Sequence, residues 1–362
     1  MNVFICVALF FFFKIFSFSD IISMENSPAE FIWSLELARE ADQGLPPDLL
    51  TEMISGEFVT FDPARYQEIR EGDLVWVHSC NLQAFAINVL PKIKSSFFLL
   101  INNSDDTFPT DTLKKYEIPG LLESEKILHF FAQNADCVKL SARVTPIPVG
   151  FDFHSLEWKK HQTHVEQESV LKNILLDLKP INERINKAFI DFHHMDTLQS
   201  GNARRYLETG ETRASIFQQL VLTGLVDYSK ERLPRSILWE TKGRYAFSIS
   251  PHANGLDCIR TWEDLTLGCI VIVKTSVLDP LYEGLPVVIV KNWSEITPSN
   301  LDMWLQKYSN AFTNPAYREK ITSEYWKKKI RSKMKGILDQ RDIETISFDV
   351  HKIESLDVSK EE

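Results

Sequence analysis

Residues 245–290, YAFSISPHANGLDCIRTWEDLTLGCIVIVKTSVLDPLYEGLPVVIV, change period twice, and those changes decide the fold. Tyr245, Phe247 and Ile249 alternate with smaller or polar residues, the period-two mark of a strand, and Pro251 stops it. From residue 256 to 267 the period becomes helical. Cys258, Trp262, Leu265 and Cys269 form an apolar stripe, with Asp257, Arg260, Glu263 and Asp264 on the opposite face. Gly268 ends the helix, and 269–273 and 285–290 are continuous apolar runs, as parallel strands covered on both faces require. The reading is a β-loop-α-β unit.

The loop of Pro251, His252, Ala253, Asn254 and Gly255 lies between a strand's carboxyl end and a helix's amino end, where unpaired N–H groups and the helix dipole favour an anion. A phosphate fits there. Arg260, one turn in and followed by Thr261, offers a bidentate clamp for a diphosphate, and Glu263 an acceptor for ribose hydroxyls. A purely structural reading stands beside this one: Asp257 as an N-cap, and Arg260 with Asp264 as an i, i+4 ion pair. A dinucleotide fits less well, because G-x-G-x-x-G is missing and only Gly255 is present.

The segment SPHANGLDCIRTWEDLTLGCIVIV resembles the donor-site segment of exostosin-type glycosyltransferases and related algal, viral and bacterial enzymes. There a Ser-Pro-x-Gly-x-Gly-x-Asp-x-x-Arg-x-x-Glu pattern precedes Gly-Cys-Ile-Pro. PLYEGLPVVIVKNW, HFFAQN (129–134) and IPVGFDFH (147–154) are also similar to that group, so the resemblance spans roughly residues 73–297. It implies a GT-B-like α/β fold, two Rossmann-like domains facing across a cleft, with the nucleotide sugar held mainly by the second. It implies an inverting, metal-independent glycosyltransferase with no bound cofactor, a nucleoside diphosphate sugar as co-substrate and a glycan or glycoprotein acceptor. Two positions depart from the pattern: Ala253 replaces a glycine, adding a methyl group where backbone approaches phosphate, and Val271 replaces a proline. They keep open a second reading, a catalytically inactive glycan- or nucleotide-binding partner of an active transferase.

With 362 residues, 44% hydrophobic and 25% charged, the chain has room for two domains, each with its own core. A formal charge of −10 argues against nucleic acid as a partner. Five scattered cysteines form neither a disulfide framework nor a C-x-x-C metal site. Residues 3–18 are apolar apart from Lys14 and Ser17, short for a spanning helix and close to a signal-peptide core. A cleaved signal or a type II anchor, with membrane association through the N-terminus, places the protein in the secretory pathway or Golgi membrane; a start at Met24 places it in the cytoplasm. Sequons stand at Asn102 and Asn292.

The expected division is residues 1–23 as signal or anchor, 24–154 as an acceptor-side Rossmann-like domain, and 155–186 as connecting helices. A nucleotide-sugar domain follows over 187–340, then a tail over 341–362. Residues 25–70 read as a polar, mostly helical lead-in. In the first domain 74–78 and 97–102 read as strands, 82–93 and 121–133 as helices, and 137–140 and 144–149 as short strands. An inverting transferase needs a general base, and Asp105 or His78, both beyond strand ends, suits that role; turn chemistry is the structural alternative for each. Arg205, with Arg204 and Arg213, is a candidate second contact to the diphosphate. His154, His161, His164 and His193 match none of the usual zinc spacings, so no metal is expected.

Overall fold

The computed structural model describes residues 27–46, 60–116, 118, 120–136, 142–155, 162–193 and 210–358. Strands β1 (Leu74–His78), β2 (Phe97–Asn102), β3 (Ile127–Gln133) and β4 (Val144–Ile147) form a parallel sheet in sequence order. Leu74, Trp76, Phe98, Leu100 and Phe131 point to one face, and Val75, Val77, Leu99, Ile101 and Phe130 to the other. Both faces are apolar because both are covered. Helix α1 (Ser34–Ala38) contacts β2 on one side, and α2 (Leu82–Asn88) contacts β1.

After α3 (Thr110–Tyr116) and the connecting helix α4 (His164–Asp177), a second parallel sheet is built from β5 (Ile185–Ile190), β6 (Val226–Tyr228), β7 (Tyr245–Ser250), β8 (Ile270–Lys274) and β9 (Val287–Val290). Its order is β6-β5-β7-β8-β9. The chain steps outward from β5 to β6 and then crosses back to β7, so a topological switch point lies between β5 and β7, where doubly wound sheets bind ligands. Helices α5 (Arg213–Val221), α6 (Arg235–Lys242) and α7 (Ile259–Thr266) make the crossovers. Helices α8 (Pro298–Tyr308), α9 (Pro315–Lys320) and α10 (Ser323–Val358) follow. This is the GT-B-like α/β arrangement expected from the sequence. Contacts from the loops after β2 and β3 to the loop after β7 turn the strands' carboxyl ends toward each other.

Several local expectations are corrected. Residues 121–133 are not a helix: 127–133 is the central strand β3, whose apolar run is buried on both faces and therefore shows no strand alternation. The helix expected over 82–93 stops at Asn88, before Pro91. Helix α10 continues through the expected tail as far as Val358. Residues 137–140 and the apolar N-terminal run lie outside the described residues; among the described ones no helix is long and apolar enough to cross a membrane. Asn102 is fully buried, accepting from Trp76 Nε1 at 2.7 Å and donating to the Ser34 carbonyl at 2.8 Å, so its sequon is closed to a glycan in this fold.

The supposed polar lead-in is the largest correction. Phe31, Trp33 and Leu35 enter the core against the first sheet, while Ile32 and Leu37 enter the core around Trp262, Val271 and Trp326. Backbone bonds fix this strip on both sides, from Phe151 N to Ile32 O at 2.7 Å and from Ser323 N to Glu30 O at 2.9 Å. Gly150 holds φ +68, and a Cβ there would collide with the Ile32 carbonyl. Gly150→Ala should therefore cost about 2–4 kcal/mol in denaturant unfolding. Gly120→Ala, at φ +77 with nothing within 4 Å, should cost only about 1 kcal/mol.

Candidate functional site

Strand β7 ends at Ser250, but α7 begins only at Ile259, three residues later than the periodicity suggests. Asp257 explains the delay. Its carboxylate accepts from Val149 N at 2.9 Å, Trp262 Nε1 at 2.8 Å, Tyr282 OH at 3.0 Å and Cys258 N at 2.9 Å. Those bonds keep Cys258 extended, so that it is the N-cap in place of Asp257. Burial pushes the Asp257 carboxyl up to about 6 against the pull of these four donors. At 4% exposure it pins the loop from behind and presents nothing to a ligand.

The loop is otherwise fixed by short-range bonds. Ala253 N donates to Gly255 O at 3.1 Å, and His252 Nδ1 lies 2.9 Å from Leu256 O. Thr261 is buried and shares a 2.8 Å hydrogen bond with Ser250 Oγ. Arg213, in the first turn of α5, donates from Nε to His252 O at 3.2 Å. Asn254 reaches across to the first lobe, its Nδ2 donating to Asp105 Oδ2 at 3.1 Å.

Beneath the loop lies a buried charge cluster that no local spacing announces. Lys242, at the end of α6, is wholly buried; its Nζ sits 2.7 Å from Asp191 Oδ2, ion-pairs with Asp264, and lies 3.7 Å from Glu263 Oε2. Asp264 also accepts from Ser248 Oγ. Arg260 pairs through Nε with Asp191, at the carboxyl end of β5, and not with Asp264 four residues on. Burial works against the charge on Lys242, but the three carboxylates outweigh it and hold the ammonium protonated. Burial also raises Asp191, yet Arg260 and Lys242 overcome it and keep that carboxyl below its ordinary range. For Asp264 burial wins and moves the carboxyl up to about 7.

Two guanidiniums thus stand at the switch point. Arg260 Nη1 is buried without a hydrogen-bond partner, and the guanidinium sits over the Phe192 ring at 5.7 Å. Arg213 is depressed by burial and then by the like charge of Arg260. Beside them opens a cavity of about 500 Å3, lined among others by Phe189, Phe192, Ser229, Arg232, Arg235 and Glu263. Glu263 is 9% exposed, and burial raises its carboxyl.

In the first lobe Asp105 is exposed in the loop after β2, held against Asn254. His78 is buried at the end of β1; its Nδ1 accepts from Cys80 N at 3.2 Å, and burial drives the ring down to about 4. A neutral ring with Nδ1 accepting carries its proton on Nε2, the arrangement of a hydrogen-bond donor. Arg204 and Arg205 lie outside the described residues, as does His161. His154 and His164 pack around Trp33, with ring centroids at 6.4 and 5.2 Å. Among the described residues no group of three or more His, Cys, Asp or Glu is arranged to hold a metal ion.

The sequence matches no family model and no curated protein, so the exostosin resemblance is carried by the quoted residues alone. Among solved structures, the chain is similar to an α,α-trehalose-phosphate synthase (UDP-forming) from Burkholderia vietnamiensis. The identity is 11% over 83% of this chain and 82% of that one, with a TM-score of 0.40. A counterpart from Burkholderia xenovorans is 12% identical, covering 80% and 78%, with a TM-score of 0.36. An E. coli structure bearing UDP-2-fluoro glucose is 11% identical, covering 86% and 90%, with a TM-score of 0.36. These values are low, and the description of the fold rests on the two sheets themselves.

Two measurements check the electrostatics. Lys242→Met leaves Asp191 and Asp264 without their ammonium and should destabilise the protein by about 3–5 kcal/mol in denaturant unfolding. His78 and His129 are both driven by burial to about 4, against 6.5 when unfolded. Between those values the unfolded chain binds more protons, so this contribution is full above pH 6.5 and is lost as pH falls toward 4. His129→Gln should shrink the drop in thermal midpoint between about pH 7 and pH 5.

Proposed function

We propose that this protein is a glycosyltransferase that takes a nucleoside diphosphate sugar as donor, inverts the anomeric centre and works without a bound metal. One observation carries the reading: Arg213 and Arg260 stand together at the switch point of a doubly wound sheet, Arg213 depressed by burial and then by Arg260's charge, and Arg260 with a buried Nη1 that has no hydrogen-bond partner. A diphosphate placed between them and the 251–255 backbone relieves the repulsion and fills the missing hydrogen bond. The adjoining cavity then takes the nucleoside, with Glu263 accepting from ribose hydroxyls.

The reaction follows from this placement. The acceptor hydroxyl attacks the anomeric carbon, its proton passes to Asp105, and the bond to the diphosphate breaks with its electron pair on the leaving oxygen. Arg213 and Arg260 stabilise the charge that develops there, which is where preorganised electrostatics lowers a barrier most. Asp105 suits the base because it is exposed and already touches the donor loop through Asn254, whereas the His78 ring is set as a donor. The acceptor belongs to the class of glycan or glycoprotein hydroxyls.

Titration calorimetry with UDP, GDP and CMP, each with and without divalent metal, tests the proposal. Arg260 also neutralises Asp191, so its removal confounds binding with folding; Arg213→Ala is the cleaner variant. One nucleotide should bind with or without metal, and Arg213→Ala should weaken it about tenfold to a hundredfold with little change in melting temperature. Failure of all three to bind at millimolar concentration would sink the reading. Nucleotide binding with no transfer from any donor sugar would favour the inactive binding partner instead.

A further inference from the structure

The donor loop does not rest on its own lobe alone. Asn134, the residue after β3 in the first lobe, has φ 52, a left-handed conformation that most side-chain-bearing residues avoid and asparagine tolerates. Residue 134 is 1% exposed, and both ends of its amide are bonded. Oδ1 accepts from Asp257 N at 2.8 Å, and Nδ2 donates to Ser104 O at 3.0 Å. Gly255 makes room for it, since a Cβ at that position would lie 2.6 Å from Asn134 Nδ2. One amide therefore spans from the residue before Asp105 to the residue where the donor loop turns into α7.

We infer that Asn134 is a positioning residue: it sets the 251–257 loop against the first lobe and so fixes the distance between Asp105 and the Arg213–Arg260 pair. The chemistry of the amide is specific. The group facing Asp257 must accept from a backbone N–H, and the group facing Ser104 must donate to a carbonyl. Aspartate supplies the first but opposes Ser104 O with a second acceptor; alanine supplies neither. Backbone bonds hold that turn in place, from Phe108 N to Asn134 O at 3.1 Å and from Asp136 N to Phe108 O at 2.7 Å. The geometry stands without any ligand; its consequence for catalysis rests on the proposed donor site.

Hydrogen exchange of the backbone amides over residues 252–258, in the full chain without ligand, tests this. Asn134→Gly keeps the backbone conformation and deletes only the amide. It should speed exchange of the Asp257 N–H and its neighbours about tenfold, leaving the strands of both sheets as protected as before. Asn134→Asp, which retains the acceptor, should hold the Asp257 N–H closer to its original rate. An unchanged exchange rate over 252–258 in Asn134→Gly would overturn the inference, as would acceleration spread evenly through the protein. Accelerated loop exchange in a protein that binds no nucleotide would leave the positioning role standing and remove the donor-site reading.

Discussion

An ammonium group with no access to water governs the second lobe. Lys242 is wholly buried among three carboxylates drawn from β5 and α7, and Arg260 completes the set. Such clusters contribute little net stability, because the desolvation of each ion offsets most of the attraction. What this one supplies is position. It fastens the end of α6 to the end of β5 and to the first two turns of α7, and so keeps the Arg260 guanidinium at the switch point with one nitrogen to spare. A hydrophobic packing of the same volume would hold the helices together but would leave that arginine free to swing into solvent.

The site is arranged in two tiers. The lower one, Lys242 with Asp264 and Ser248, is buried, and Asp191, which lines the cavity, ties it to Arg260 above. The upper one holds Arg213, depressed by burial and then by Arg260, together with Arg260, whose Nη1 has no hydrogen-bond partner, and the 251–255 backbone. Asp257 anchors the upper tier from behind, through bonds to Val149, Trp262 and Tyr282 that draw on both lobes. Charge in the lower tier is settled by folding; the upper tier is where the proposed diphosphate would bind.

Much of this was legible in the sequence, for reasons that can be named. Strand β7 shows because its residues alternate, and β8 and β9 show because unbroken apolar runs are what doubly covered strands need. The same logic hid β3, since an apolar run buried on both faces has no period to separate it from a helix. The structural alternative paired Arg260 with Asp264 on i, i+4 spacing, whereas sheet order brings Asp191, 69 residues away in sequence, closer. Lys242 gave no signal at all: a lysine at a helix end reads as solvated, and its carboxylates become neighbours only when β5 and β7 pair side by side. Residues 31–38 were lost in a segment that read as a polar, mostly helical lead-in, because their successive side chains serve two different cores and no single period describes that.

That shared strip also orders events in time. Residues 31–38 leave the ribosome early, yet Ile32 and Leu37 have their places beside Trp262, Val271 and Trp326, and Ser323 closes over Phe31 O at 2.7 Å. For most of synthesis these apolar side chains lack their final surroundings, and the first sheet lacks the cover that Ile330 and Met334 of α10 provide. The two lobes therefore do not mature as independent units in order of translation. The first lobe waits on α10, so its core closes only after α10 has been made, and a nascent protein halted before residue 323 holds an exposed apolar strip of the kind chaperones recognise.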